Sequence, residues 1–216
     1  MLSSTFQSSI SSEIELILLC SRPEINPQIA TRVRDLVQTG IDWDSLAEKA
    51  HSWSVLPLFS RGFQAIGTHI IPEDKWDHIQ ALNFATLHRN LLLTRELISL
   101  LDNFASHDIP AIPYKGPVLA QSLYGNLALR PFLDLDVITR KNDADRARDI
   151  ILSRGYKLTW PEIELTASQH SAHLDAKYNY QFARDVDRIS VELHWTVTPK
   201  YFSFPPDPDW LWQRLE

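Results

Sequence analysis

The chain has 216 residues, 44% of them hydrophobic, and a formal net charge of −6. That length supports a sizeable core, and the acidic balance argues against a protein that grips extended DNA or RNA through its phosphates. The single cysteine, Cys20, excludes an intramolecular disulfide and points to a reducing, cytoplasmic setting; no apolar run approaches the ~20 residues of a membrane span, and no signal-peptide pattern opens the chain.

In chain order, residues 1–9 are Ser-rich and expected to fray. Ser11 or Ser12 caps a helix through Cys20, with Glu13 and Glu15 in its first turn. Pro27 opens a second helix that Gly40 ends, Asp42 caps a third, and a fourth apolar segment covers 55–66 and closes at Gly67. Pro72 opens the longest periodic segment, one helix or two, in which Trp76, Ile79, Leu82, Ala85, Leu87, Leu91, Leu97 and Leu101 recur at helical spacing. The pattern changes at Ile109. Residues 109–114 read as an edge strand interrupted by Pro110 and Pro113, 117–124 as a helix, and 133–138 as a strand. A helix over 143–154 ends at Gly155, and a short strand covers 156–160. Tyr178, Tyr180 and Phe182 alternate, as do Ile189, Val191, Leu193 and Trp195, which makes a hairpin about Asp185-Val186-Asp187. The chain stops in what reads as a starting helix capped by Asp207 or Asp209, an abrupt end that suggests a core cut short at its C-terminal side. The expected division is a helical region over 1–107 and a core over 108–216.

The chemistry concentrates in the core. Asp134 and Asp136 stand at i and i+2 of a strand and so share a face, while Leu133, Leu135 and Val137 point the other way, into a core. Two carboxylates side by side repel, and a hard divalent cation gives that arrangement a use. Upstream, Lys115-Gly116-Pro117 lies between a strand and a helix, where free N–H groups and the helix dipole suit phosphate and a glycine admits close approach. Downstream, Glu192 and His194 share a face opposite Val191, Leu193 and Trp195. Three carboxylates on neighbouring strands can hold two metal ions for in-line attack on a phosphoryl group. His170 and His173 stand at i and i+3, but nothing nearby completes a zinc site, so both read as satisfied surface or loop histidines. Trp160, Trp195, Trp210 and Trp212 read as core or interface residues, and Cys20 as an inert buried thiol.

The segments YKGPVLAQSLYG, RPFLDLD, RGYKL and VELHW, in that order, resemble the DNA polymerase beta superfamily of nucleotidyltransferases, and more narrowly the bacterial uncharacterised nucleotidyltransferase group, over roughly residues 80–216. The resemblance implies an α+β fold, with a nucleotidyltransferase-type mixed sheet flanked by helices after an all-helical N-terminal region. It implies an enzyme that moves an NMP from an NTP, ATP first among them, to a small-molecule, peptide or protein acceptor with Mg²⁺ or Mn²⁺ and releases pyrophosphate. Carried over by position, Asp134, Asp136 and Glu192 are the catalytic metal-binding carboxylates and Gly116 is the glycine of the phosphate turn. Lys115, Arg130 and His194 are candidate nucleotide contacts; Arg130 alternatively pairs with Asp134, and His194 alternatively orients a carboxylate or simply packs. The wider superfamily follows its turn glycine with Gly or Ser. Here Pro117 offers neither hydroxyl nor N–H, which leaves Lys115 to replace that contact. The same departure keeps open an alternative, a nucleotide-binding regulatory or partner-binding module without turnover.

Overall fold

The computed structural model describes residues 10–163, 165–176, 178–198 and 212–214. The expected fraying of 1–9 and the cap at Asp207 or Asp209 lie outside the described residues. By internal contacts the chain divides into two compact units, 1–90 with 126–131, and 91–125 with 132–216.

The first unit is helical: α1 (Ser12–Cys20), α2 (Pro27–Gln38), α3 (Trp43–Ser52), α4 (Leu56–Ile66) and the first half of α5 (Glu73–Ser106). Three starts are sealed in the same way. The side chains of Ser11, Asn26 and Asp42 accept from the backbone N–H groups of Ile14, Ile29 and Ser45, each satisfying a donor that the helix leaves free. The apolar faces meet around Leu16, Ile17, Val33, Leu46, Phe59, Phe63 and Ile79. Each such side chain contributes about 1.5–3 kcal/mol by leaving water. Helices α1 and α4 cross so closely that a Cβ on Gly62 would lie 2.0 Å from the carbonyl oxygen of Cys20. Asn90, 1% exposed, donates to the carbonyls of Leu127 and Arg130 at 2.6 and 3.0 Å and so fixes the 126–131 segment in this unit. The long periodic segment is one unbroken helix of 34 residues.

In the second unit five strands, among the described residues, form one mixed sheet in the order β1-β2-β5-β4-β3. They are β1 (Ala111–Pro113), β2 (Asp134–Thr139), β3 (Lys157–Trp160), β4 (Asn179–Arg184) and β5 (Ile189–His194). Only β2 and β5 pair in parallel; the other neighbours are antiparallel. The second half of α5 belongs to this unit, as do helices α6 (Gly116–Tyr124), α7 (Ala144–Ser153) and α8 (Ala167–Ala176), with α6 against β2 and α7 against β5. The α+β class with a helix-flanked mixed sheet is therefore the observed one. Leu133 departs from expectation: β2 starts one residue later, and Leu133 is 79% exposed rather than in the core.

An ionic knot ties α5 to the far edge of this sheet. Glu96 accepts from Arg154 Nη2 at 3.0 Å, Arg184 Nη1 at 3.1 Å and Tyr156 Oη at 3.0 Å. Arg184 also pairs with Asp187 at 2.6 Å and lies over the Tyr156 ring, 4.4 Å from its centroid. Burial works to raise the Glu96 carboxyl, but the hydrogen bonds from Arg184 and Arg154 outweigh it and hold the group below the usual glutamate range. Arg154 and Tyr156, from the RGYKL segment, thus have a structural use here.

Candidate active site

The site is a matter of register. On the parallel pair, Asp136 stands opposite Glu192, Asp134 opposite Ser190 and Ile138 opposite His194. Because side chains alternate, Asp134, Asp136, Glu192 and His194 all rise from one face, while Leu135, Val137, Val191 and Leu193 are buried on the other. Antiparallel β4 brings Asn179 opposite His194 and Gln181 opposite Glu192, on the same polar face. On the other side the N–H of Tyr114 reaches the carbonyl of Asp136 at 3.4 Å, which sets the turn beside the carboxylates.

Asp136 is 4% exposed, and its Oδ1 accepts from Lys115 Nζ at 2.9 Å and lies 3.1 Å from His194 Nε2. The same Nε2 lies 3.2 Å from Glu192 Oε2 and 3.2 Å from Tyr114 Oη. Glu192 accepts from Gln181 at 3.0 Å and Asn179 at 3.3 Å, one amide on each carboxylate oxygen. The imidazole stacks on Tyr178 and meets Tyr114 edge-on. His194 Nδ1 is buried with no hydrogen-bond partner. In the neutral ring a proton on Nε2 is donated to the carboxylates and leaves only a bare lone pair at Nδ1. The other tautomer would aim a lone pair at two carboxylates and strand an N–H.

The electrostatics follow from this crowding. Burial, then the charges of Asp136 and Glu192, push the Asp134 carboxyl up. Burial acts the same way on Asp136, but hydrogen bonds from His194 and Lys115 outweigh it, and the group sits low. Glu192 is held low chiefly by its hydrogen bond to His194. For His194 burial opposes the charged form, yet Asp136 and Glu192 prevail and raise it. Tyr114 is pushed up to about 12, first by burial and then by Asp136.

The structure brings together Lys115, Gly116, Asp134, Asp136, Glu192 and His194, all in the second unit. Gly116, at φ +50°, opens α6 in a left-handed conformation that favours glycine. Arg130 lies in the 126–131 segment, which groups with the first unit. One oxygen each from Asp136 and Glu192 and a ring nitrogen of His194 lie within 4.8 Å of one another, the one such cluster among the described residues. Tyr114, Asn179 and Gln181 were not anticipated. The two amides had a legible signal, since they alternate with the apolar Tyr178, Tyr180 and Phe182. His170 and His173 sit on α8 rather than in a loop. His170 Nε2 is satisfied by Tyr180 Oη at 2.7 Å and Asp145 Oδ1 at 3.0 Å, and His173 is buried against Tyr180 and Trp195.

Such a face, a mixed sheet with acidic side chains convergent from two parallel strands beside a strand–turn–helix, is built for polar chemistry rather than packing. The family model for uncharacterised nucleotidyltransferases matches residues 39–216, most of the chain and more of the helical region than the motifs alone suggested. The chain belongs to that family, and so to the transferases. No curated protein and no solved structure matches it.

Proposed function

We propose that this chain transfers an NMP from an NTP, ATP in the first instance, to an acceptor hydroxyl or phosphate, with Mg²⁺ or Mn²⁺ and release of pyrophosphate. The observation that carries the reading is the register of Asp136 against Glu192, with Asp134 on the same face and the Lys115-Gly116 turn beside them. The donor set fits a hard cation: carboxylate oxygens predominate, and His194 serves as a hydrogen-bond donor to them. Asp134, Asp136 and Glu192 would hold the ion, which when bound lowers the pKa of an acceptor hydroxyl and neutralises charge on the transferred phosphoryl group.

The chain's own groups do the rest. Asn179 and Gln181 clamp both oxygens of Glu192, and His194 orients Asp136 and Glu192 together. Glu192 or Asp136 accepts the proton of the acceptor. The N-terminus of α6 and the Lys115 ammonium receive the triphosphate; Pro117 lacks an N–H, which makes the ammonium the stronger of the two. A cytoplasmic setting is proposed from the single free cysteine.

The test is a turnover screen with four labelled NTPs, Mg²⁺ or Mn²⁺, and panels of metabolite and peptide acceptors. Pyrophosphate release by the parent, abolished in Asp134→Asn and Asp136→Asn with circular dichroism unchanged, is the expected result. Calorimetric NTP binding without pyrophosphate release under every condition would replace the transferase reading with a binding module.

A further inference from the structure

Lys115 already makes a contact that a divalent cation at this site needs. Its side chain is 47% exposed, yet its ammonium reaches inward to Asp136, whose side chain is 2% exposed, at 2.9 Å. The ammonium also lies 4.9 Å from the centroid of the Tyr114 ring, a second, weaker contact. Three carboxylates share this face with the Lys115 ammonium and the His194 imidazole, so negative charge remains in excess and draws a further cation.

We infer that Lys115 is the resident counter-cation of the carboxylate cluster, that a divalent ion displaces it from Asp136, and that the freed ammonium then engages the nucleotide phosphates; this rests on the metal reading above. A divalent ion brought onto Oδ1 carries twice the charge of the ammonium already there and repels it strongly. Lysine suits the exchange because it is a compact charge on a flexible stem, free to swing without losing its anchor. The exchange couples the two ligands. In the absence of nucleotide the ion must break the Lys115–Asp136 pair, and a bound triphosphate offers Lys115 a new partner. By linkage each ligand then tightens the other.

The experiment is calorimetric titration of Mn²⁺, and separately of a non-hydrolysable NTP at saturating Mn²⁺, into the parent, Lys115→Met, Lys115→Arg and Asp136→Asn. Lys115→Met should bind Mn²⁺ about fivefold more tightly than the parent, the upper end for a part-exposed ion pair. The same variant should bind nucleotide at least about tenfold more weakly. Lys115→Arg should keep near-parental Mn²⁺ affinity, and Asp136→Asn should lose Mn²⁺. Equal Mn²⁺ affinity in the parent and Lys115→Met, with loss in Asp136→Asn, overturns the exchange and leaves the metal reading standing. Absence of Mn²⁺ binding in the parent overturns both. A readout on the parent guards against a Lys115→Met variant that fails to fold. In ¹³C-lysine-labelled protein the Lys115 ε-methylene resonance, identified by its loss in Lys115→Arg, should shift when Mg²⁺ is added without nucleotide; an unmoved resonance overturns the exchange.

Discussion

Glu96→Ala tests whether the knot on α5 holds the five-stranded sheet together. The substitution removes the acceptor of Arg154, Arg184 and Tyr156 at once. Glu96, Arg154 and Arg184 side chains are only 13%, 21% and 16% exposed, so water replaces the lost carboxylate poorly. Breaking a buried pair from one side costs about 3–5 kcal/mol. Arg184 keeps Asp187, which places the expected loss near the bottom of that range, about 3 kcal/mol. Urea unfolding followed by circular dichroism and tryptophan fluorescence measures it, with the slope against urea unchanged. The pH dependence has a definite sign. The folded Glu96 carboxyl lies below its ordinary value, so its contribution is complete above about pH 4.3 and is lost as the pH falls through the folded value. The gap between parent and variant should therefore be full at pH 7 and narrow below about pH 4. A loss under about 1 kcal/mol at pH 7, or a gap that stays constant into acid, would refute the reasoning.

Gly62→Ala should cost about 3 kcal/mol or more, because its Cβ would meet backbone of Cys20 rather than a side chain able to turn aside; a urea midpoint near the parent's would contradict the close crossing of α1 and α4. Cys20 is fully buried, and burial pushes its thiol up to about 12. A disulfide reagent at pH 8 should therefore label it only as fast as the helical unit opens, and rapid labelling of the native protein would count against that packing.

Much of this was legible from local chemistry. Ser11 and Asp42 announce their helices through side chains that satisfy nearby N–H groups, and the alternation in Asp134–Asp136 and Glu192–His194 fixes faces without any tertiary information. What was hidden depends on which strand lies beside which. Nothing local to Asn179 or Gln181 says that β4 pairs with β5 in a register that sets both amides on Glu192. Glu96 reads as one more helix glutamate until Arg154 and Arg184 arrive from distant parts of the chain. The repulsion expected between Asp134 and Asp136 is partly answered by Lys115, a pairing that depends on the turn closing over β2. Helix α8 escaped notice because its sequence, ASQHSAHLDA, has no apolar periodicity and is anchored by histidines instead.

The parallel pairing of β2 and β5 has a consequence for how the molecule comes into being. Asp136 and His194 are 58 residues apart in the chain. The intervening helices and strands must be made before β5 can close beside β2, so the entropy of a long loop is spent before the central ladder returns any stability. A ribosome-bound chain that has exposed β2 but not β5 has no assembled site, and β2 then presents an open edge of Leu135, Val137 and Ile138. The two carboxylates on that strand repel a second nascent copy aligned with it, as charged gatekeepers do in aggregation-prone strands. The acidic pair thus puts charge on that strand in the unfinished protein as well as furnishing the finished one with its polar face.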